Sequence, residues 1–83
     1  MQTSSLAFGK VIKNFRVEKK YSQSALAELA DVTKEYIHDL EHGLKSPTLK
    51  TLFAISTALE IKLHILIELV EEEKERLDNE KVQ

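Results

Sequence analysis

The segment Ser22–Glu41 constrains the fold more than any other stretch, because its pattern predicts two short helices joined by a tight turn. Ser22 is a favourable N-cap for the first helix, and Thr33 is one for the second. Apolar residues recur at helical spacing in each half of the segment. They are Leu26, Ala27, Leu29 and Ala30 in the first half, and Val32, Tyr36, Ile37 and Leu40 in the second. The small alanines allow a close helix crossing, and Val32 in the turn is expected to be buried and to fix the angle.

The second of these helices has a polar outer face. Its members are Lys34, Glu35, His38, Asp39 and His42. A short helix of this kind, held against a supporting helix, is suited to placing side chains in the major groove of DNA. Two carboxylates there would repel phosphates unless they are aimed at base donors, so they favour sequence-specific reading over general DNA coating. The alternative is an ordinary solvated face, which is common on helices.

Three short motifs lie in and just after this segment. They are Ser-Gln-x-x-Leu-Ala from Ser22, Ile-x-x-Leu-Glu-x-Gly from Ile37 and Pro-x-Leu-x-x-Leu from Pro47. With them, the chain from Phe8 to Ile61 resembles the Cro/phage-repressor (XRE) helix-turn-helix domain. Further matching positions are Gly9, Ile12, Arg16, Val32, Thr33, Ile55, Ala58 and Leu59. The resemblance implies an all-α fold, a five-helix lambda-repressor-like DNA-binding domain; the alternative is a generic small helical bundle.

The resemblance also implies roles for individual side chains. Lys34, Glu35 and Asp39 match base-reading positions, and His38 is placed to touch a base edge or a methyl group. A second group is expected to contact DNA phosphates, although Tyr36 could pack inside instead and Gln23 could be an ordinary exposed residue. The group consists of Gln23, Thr33, Tyr36, His42, Lys45, Ser46 and Lys50.

Arg16 falls near the inner face of the preceding helix, where a lone charge would be costly to bury. The resemblance supplies a partner in Glu41, at the end of the groove-facing helix. A bidentate arginine–carboxylate pair would satisfy both groups. We therefore expect Arg16 and Glu41 to form a structural ion pair.

The net charge of −2 argues against nucleic-acid binding when it is taken alone. Its distribution changes that conclusion, because residues 1–50 hold eight Lys/Arg and six Asp/Glu, whereas residues 51–83 hold four and eight. The acidic excess therefore lies at the far end of the chain, where it need not face a phosphate backbone. The basic surface is still weak, so we expect two subunits to bind together.

Other classes of protein find little support. The length of 83 residues indicates one domain, and the lack of cysteine excludes disulfides and fits a reducing cytoplasm. No apolar run is long enough to span a membrane, and the first residues do not form a secretory signal. His38 and His42 have metal-binding spacing but no evident third ligand. We expect no metal, no cofactor and no enzyme activity, since no nucleophile–base set is recognisable.

The rest of the sequence predicts three more helices. The first runs from Leu6 or Phe8 to about Lys19, after residues 1–5, which are expected to fray. The fourth is capped by Thr48 and runs to about Leu59; the fifth runs from about Lys62 to Leu77. These give a domain core of residues 6–61, a dimerisation helix of about 62–77 and a tail of 78–83. The fourth helix is expected to bury Leu49, Leu52, Ile55, Ala58 and Leu59.

Two helix ends depart from the family pattern. Lys20 stands where the family usually has glycine, and Glu60 replaces a small turn residue. A non-glycine residue in a left-handed helix cap is strained. Either Lys20 tolerates that conformation or the turn after the first helix differs.

The fifth helix is more apolar than one buried face requires. Leu63, Leu66, Ile67 and Val70 are expected to close the core of the domain. Ile65 and Leu69 lie on another face, which a single domain would leave exposed to solvent. Exposed apolar surface usually marks an interface, so these residues predict a two-fold homodimer.

The sequence therefore favours a cytoplasmic transcription regulator that binds double-stranded DNA as a homodimer on a palindromic operator. Among small stand-alone regulators, it resembles phage repressors and restriction–modification controller proteins. The alternative is a protein-interaction module, such as the antitoxin of a toxin–antitoxin pair. In that case the helix-turn-helix would serve as a scaffold, and the fifth helix would hold a partner.

Overall fold

The computed structural model describes the backbone of residues 2–82 and the side chains of residues 2–80. This part of the chain forms five helices and no strands, which confirms the all-α fold predicted from the sequence. The helices are α1 (Thr3–Glu18), α2 (Gln23–Ala30), α3 (Lys34–Glu41), α4 (Leu49–Ala58) and α5 (Leu63–Val82). Met1 and Gln83, which belong to the predicted frayed start and tail, lie outside the described residues.

Three hydroxyl caps fix the starts of the middle helices. Ser22 Oγ accepts from the backbone amide of Ala25 at 3.0 Å, at the start of α2. Thr33 Oγ1 and Thr48 Oγ1 each accept from the amide three residues later at 3.1 Å, at the starts of α3 and α4. Each cap satisfies an amide that the helix cannot, so the starts follow from local chemistry.

Left-handed residues end α1, α2 and α4. Lys20, Asp31 and Glu60 have φ angles of 63°, 57° and 59°. Lys20 and Glu60 thus adopt the strained conformation themselves, which settles the alternative that the sequence left open. Asp31 is the least unusual of the three, because aspartate is one of the residues that tolerate this region.

The core lies where all five helices meet. Its most completely buried side chains come from every helix: Ile12, Leu26, Ile37, Leu40, Ile55, Leu59 and Leu66. α1 packs along α5 and against α3, while α2 packs against α3 and α4. α3 is therefore held from two sides, by α1 and α2.

Two leucines predicted to be buried are exposed. Leu29 is 57% exposed and Leu49 is 68% exposed. In α2 the buried stripe is formed by Leu26, Ala27 and Ala30, and Leu29 falls outside it. Leu49 begins α4, on a side of the helix away from Ile55 and the core. Val32, which the sequence predicts to be buried, is only half-buried, although it packs against the core.

Both ends of the fold extend further than the sequence predicted. α1 begins at Thr3 rather than Leu6 or Phe8. Ser5, expected to fray, is buried, and its Oγ lies 2.7 Å from Ser46 Oγ. α5 continues to Val82, so most of the predicted tail is helical. Ion pairs one turn apart support this extension. They are Arg76 with Glu73, Arg76 with Glu80, and Lys74 with Asp78.

Gly9 allows the close approach of α1 to α3. A Cβ atom at this position would lie 2.7 Å from the carbonyl oxygen of Glu41 and closer still to that of Leu40. Any larger residue would push the helices apart. The matching Gly9 was noted in the sequence, but the contact that requires it joins residues distant in the chain.

Candidate nucleic-acid interface

α3 presents its polar face outward on a buried apolar base. Ile37 and Leu40 are fully buried, whereas Lys34, Glu35 and His38 are exposed and Asp39 is half-buried. These four polar side chains line one cleft of about 320 Å³ together with Gln23. The structure thus brings the four predicted base-reading residues to a single surface beside the start of α2.

Asp39 is held by two partners within the chain, and one of them is His38 of the same surface. His38 Nδ1 lies 3.2 Å from Asp39 Oδ1, and Lys45 Nζ lies 3.5 Å from Asp39 Oδ2. The hydrogen bond from His38 lowers the pKa of the Asp39 carboxyl below its ordinary value, and Lys45 acts in the same direction. The carboxylate therefore stays charged and links α3 to the loop that follows it.

His38 and His42 stack on each other, with ring centroids 4.1 Å apart. His42 Nδ1 lies 2.8 Å from the carbonyl oxygen of His38. Because a carbonyl can only accept, this geometry requires a proton on His42 Nδ1. Only the Nε2 atom of His42 is then left for a further partner.

A buried polar cluster ties α3 to α1 and α2. Glu41 has a side chain only 1% exposed, and it accepts from Arg16 Nε at 2.6 Å and Arg16 Nη2 at 3.0 Å. The Arg16 Nη1 atom donates to the carbonyl oxygen of Tyr21 at 2.8 Å. The hydrogen bonds to Glu41 raise the pKa of the Arg16 guanidinium. The ion pair expected from the resemblance is therefore present and bidentate.

Gln23 belongs to the same cluster, which the sequence did not suggest. Its Nε2 atom donates to Glu41 Oε1 at 3.0 Å. An amide group carries two donor hydrogens, so one remains for a phosphate. The side chain of Gln23 therefore joins the buried cluster to the cleft on α3.

The other predicted phosphate contacts fall into two groups. Thr33 caps α3 through its oxygen, and its hydroxyl hydrogen can still be donated. The Tyr36 hydroxyl lies 3.5 Å from Thr51 Oγ1, and Lys45 Nζ lies 5.9 Å from the Tyr36 ring. Tyr36 is thus half-buried but reaches the loop. Lys45, Thr33 and Tyr36 all lie on or beside α3.

Ser46 and Lys50 lie further round the molecule. Ser46 Oγ is hydrogen-bonded to Ser5, which ties the loop to α1. Lys50 is exposed near the start of α4, in a cleft with Asp31 and Val32 of the turn between α2 and α3. Lys50 is thus placed beside the turn rather than beside the polar face of α3.

The two predicted interface residues of α5 are in different surroundings. Ile65 is 40% exposed, whereas Leu69 is half-buried and packs against the chain's own core. The expectation that a single domain would leave both residues exposed to solvent therefore holds for Ile65 only. Phe53 of α4 is 56% exposed, which the sequence reasoning missed. It lies one turn after Leu49, so counting residues around α4 could have found it.

Among residues 2–82 no group of three or more His, Cys, Asp or Glu side chains is arranged to hold a metal ion. No helix among the same residues is both long and apolar enough to cross a membrane.

The fold and the outward polar face of α3 define a helix-turn-helix domain. A helix-turn-helix family model matches residues 12–66. The chain therefore belongs to this family, of the Cro/phage-repressor (XRE) type predicted from the sequence.

The chain is similar to known regulators. It is 39% identical over 61 residues to the HTH-type transcriptional regulator SinR of Bacillus subtilis, which covers 72% of this chain and 55% of that protein. It is 36% identical over 62 residues to the immunity repressor protein of Bacillus phage phi105, which covers 75% of this chain and 43% of that protein. The chain thus spans about half the length of these relatives.

Solved structures of restriction–modification controller proteins are also similar. C.AhdI from Aeromonas hydrophila has a TM-score of 0.73 and 29% identity, over 75% of this chain and 94% of that one. The controller protein C.Esp1396I, solved as a tetramer with its natural 35 base-pair operator, has a TM-score of 0.81 and 27% identity. That match covers 89% of this chain and 97% of the other.

Proposed function

We propose that this chain binds double-stranded DNA sequence-specifically as a homodimer on a palindromic operator and thereby regulates transcription. One observation carries the proposal: Lys34, Glu35, His38 and Asp39 line a single open cleft on α3. The scaffold behind them is rigid, since Ile37 and Leu40 are fully buried. Regulators similar to this chain support the assignment.

Each exposed side chain suits a particular base edge. Lys34 can donate to guanine O6 and N7 in the major groove, while Glu35 and Asp39 can accept from cytosine N4. Thr33, His42 and Lys45 would contact phosphates on either side, which fixes the register of α3 without carrying sequence information.

Binding by Asp39 requires an exchange of partners. In the free chain its carboxylate is held by His38 and Lys45. A DNA phosphate beside the loop would attract Lys45 and release Asp39 toward a base donor. This exchange favours DNA that offers both a phosphate and a cytosine at the right separation.

The homodimer is supported by the exposed apolar side chains of α4 and α5. Phe53 and Ile65 are 56% and 40% exposed. A second copy covering them would double the number of phosphate contacts, which a chain of net charge −2 needs. A two-fold pair would also set the two α3 helices about 34 Å apart, one turn of DNA.

The test is a selection of random duplexes on the purified chain at about 0.15 M salt, because affinities depend steeply on ionic strength. A consensus with two-fold symmetry is expected. Duplexes that show no shared sequence would contradict the proposal.

Sedimentation of the same sample distinguishes the regulator from the alternative, a protein-interaction module. A stable dimer without any partner fits the regulator. A monomer that associates only with a second protein would favour an interaction module, in which Phe53 and Ile65 meet that protein.

A further inference from the structure

A second cleft, here named the α1–α5 cleft, opens beside the end of α3. It has a volume of about 430 Å³ and lies between α1, the last residues of α3 and the C-terminal half of α5. Its basic lining residues come from all three helices or their ends. They are Lys10 and Lys13 of α1, His42 after α3, and Arg76 of α5.

The carboxylates of this cleft are already paired. Glu41 is buried and accepts from both Arg16 and Gln23. Glu73 lies 2.6 Å from Arg76 Nη2 and 3.8 Å from Lys10 Nζ. The pairing with Arg76 holds the pKa of Glu73 below its ordinary value, so this acid stays ionised.

Positive charge therefore exceeds negative charge in the cleft. Lys10, Lys13 and Arg76 face Glu73 in the cleft, and Arg76 also pairs with Glu80. Once Glu41 is counted with Arg16, three positive charges meet two negative charges. Lys13 is exposed, and among residues 2–80 no carboxylate lies within ion-pair distance of its Nζ atom. His42 adds an Nε2 atom that its own bond to His38 leaves uncommitted.

We propose that the α1–α5 cleft binds a phosphate group of the DNA backbone, beside the bases read by α3, and that Glu73 sets its strength. This inference rests on the proposed function. His42 lines the α1–α5 cleft and stacks on His38, which lines the cleft on α3, so the two clefts adjoin. A phosphate there accepts from the Lys13 ammonium, which has no ion-pair partner among residues 2–80.

Glu73 opposes this binding. An arriving phosphate competes with Glu73 for Lys10 and Arg76, and the two anions repel each other. Because the Glu73 carboxylate is paired, the acidic helix α5 can lie beside DNA without repelling the DNA. The acid nevertheless keeps the affinity lower than Lys10, Lys13 and Arg76 alone would give.

The test compares paired substitutions in the full chain, using the selected operator duplex and a random duplex. Lys13→Gln should weaken binding to both by about three- to tenfold and reduce the salt slope by about one. Glu73→Gln should strengthen binding to both by a similar factor. Lys74→Gln and Glu75→Gln make the same charge changes on α5 outside the cleft, and each should alter binding by less than about twofold.

Equal effects for Lys13→Gln and Lys74→Gln would overturn the inference, as would equal effects for Glu73→Gln and Glu75→Gln. Circular dichroism verifies the fold of each variant, and the exposed Lys13 keeps the test decisive if Glu73→Gln fails to fold. If the unaltered chain binds no duplex, the proposed function fails as well. If it binds selectively but the cleft variants match their controls, this inference alone fails.

A free phosphate ion has the same chemistry, so a separate arm distinguishes the two sources. Inorganic phosphate is titrated at constant ionic strength while the ring signals of His42 are followed by NMR. We expect weak, non-saturating shifts. Saturable binding of phosphate, with no difference between Lys13→Gln and Lys74→Gln on DNA, would identify a small-anion site and overturn the assignment to DNA.

Discussion

The carboxylate of Glu41 joins three helices, since it accepts from Arg16 in α1 and from Gln23 in α2. Its two oxygens accept three hydrogen bonds from these side chains, and no buried side-chain polar atom among the described residues lacks a partner. The angle of α3 against its neighbours therefore depends on this cluster as well as on apolar packing. The cluster has no need of DNA, so its effect is measurable in the free protein.

Substitution Arg16→Met should remove about 3–5 kcal/mol of unfolding free energy, because it leaves the buried Glu41 charge without its main partner. Urea unfolding measures the loss. The unfolding free energy of Arg16→Lys should lie between those of the parent and Arg16→Met, since an ammonium keeps the charge but not the bidentate geometry.

The control at this scale is Lys19→Met. Lys19 pairs with Glu60, whose side chain is 73% exposed, so its loss should matter little. Losses of equal size for Arg16→Met and Lys19→Met would show that burial does not set the strength of the Glu41 pair.

At the scale of helices, α1 and α3 approach each other more closely than side chains allow. Gly9 makes this contact possible, because its Cα faces the carbonyl oxygens of Leu40 and Glu41. The contact places the C-terminal end of α3, and with it His42, against α1. Its cost is the lower helix propensity of glycine.

Gly9→Ala should lower the unfolding free energy by about 1–3 kcal/mol, although alanine has the higher helix propensity by about 1 kcal/mol. The added methyl group must push α1 from α3. Asn14→Ala, at an exposed site of the same helix, should leave stability unchanged or raise it slightly. If thermal melts show Gly9→Ala as stable as the parent, the close approach is not a structural requirement.

The starts of the middle helices could be predicted from the sequence, whereas the ends of helices could not. Ser22, Thr33 and Thr48 carry their capping signal within three residues, so the starts of α2, α3 and α4 could be predicted. The ends depend on Lys20, Asp31 and Glu60, which adopt positive φ without being glycine.

Contacts between residues distant in the chain explain the other differences between the predicted and the observed structure. α1 begins early because Ser5 meets Ser46, and no local pattern records a contact across 41 residues. The burial of Leu29, Leu49 and Leu69 depends on which helix face the neighbours cover. The exposure of Lys34, Glu35 and His38 on α3 could be predicted, whereas the pairing of Asp39 with Lys45 required the folded loop.

At the scale of the whole molecule, the proposed homodimer rests on the apolar residues that the single chain leaves exposed. Ile65→Asp should shift the dimer to monomer and raise its dissociation constant at least about tenfold, equivalent to about 1.4 kcal/mol. Operator binding should weaken in parallel. Sedimentation equilibrium measures the association.

Val17→Asp is the matched control for the dimer. Val17 is also an exposed apolar residue, at 56%, but it lies on α1. The dimer should survive this change. A dimer that tolerates Ile65→Asp as well would place the interface elsewhere.

The central claim is that α3 reads bases while the loop after it holds phosphates. The most direct test measures the affinities of Lys34→Ala and Lys45→Ala for the selected operator and for random DNA at one salt concentration. Lys34→Ala should cost about 1–3 kcal/mol on the operator and much less on random DNA, whereas Lys45→Ala should weaken both alike. Equal losses on both DNAs for Lys34→Ala would contradict direct reading by α3.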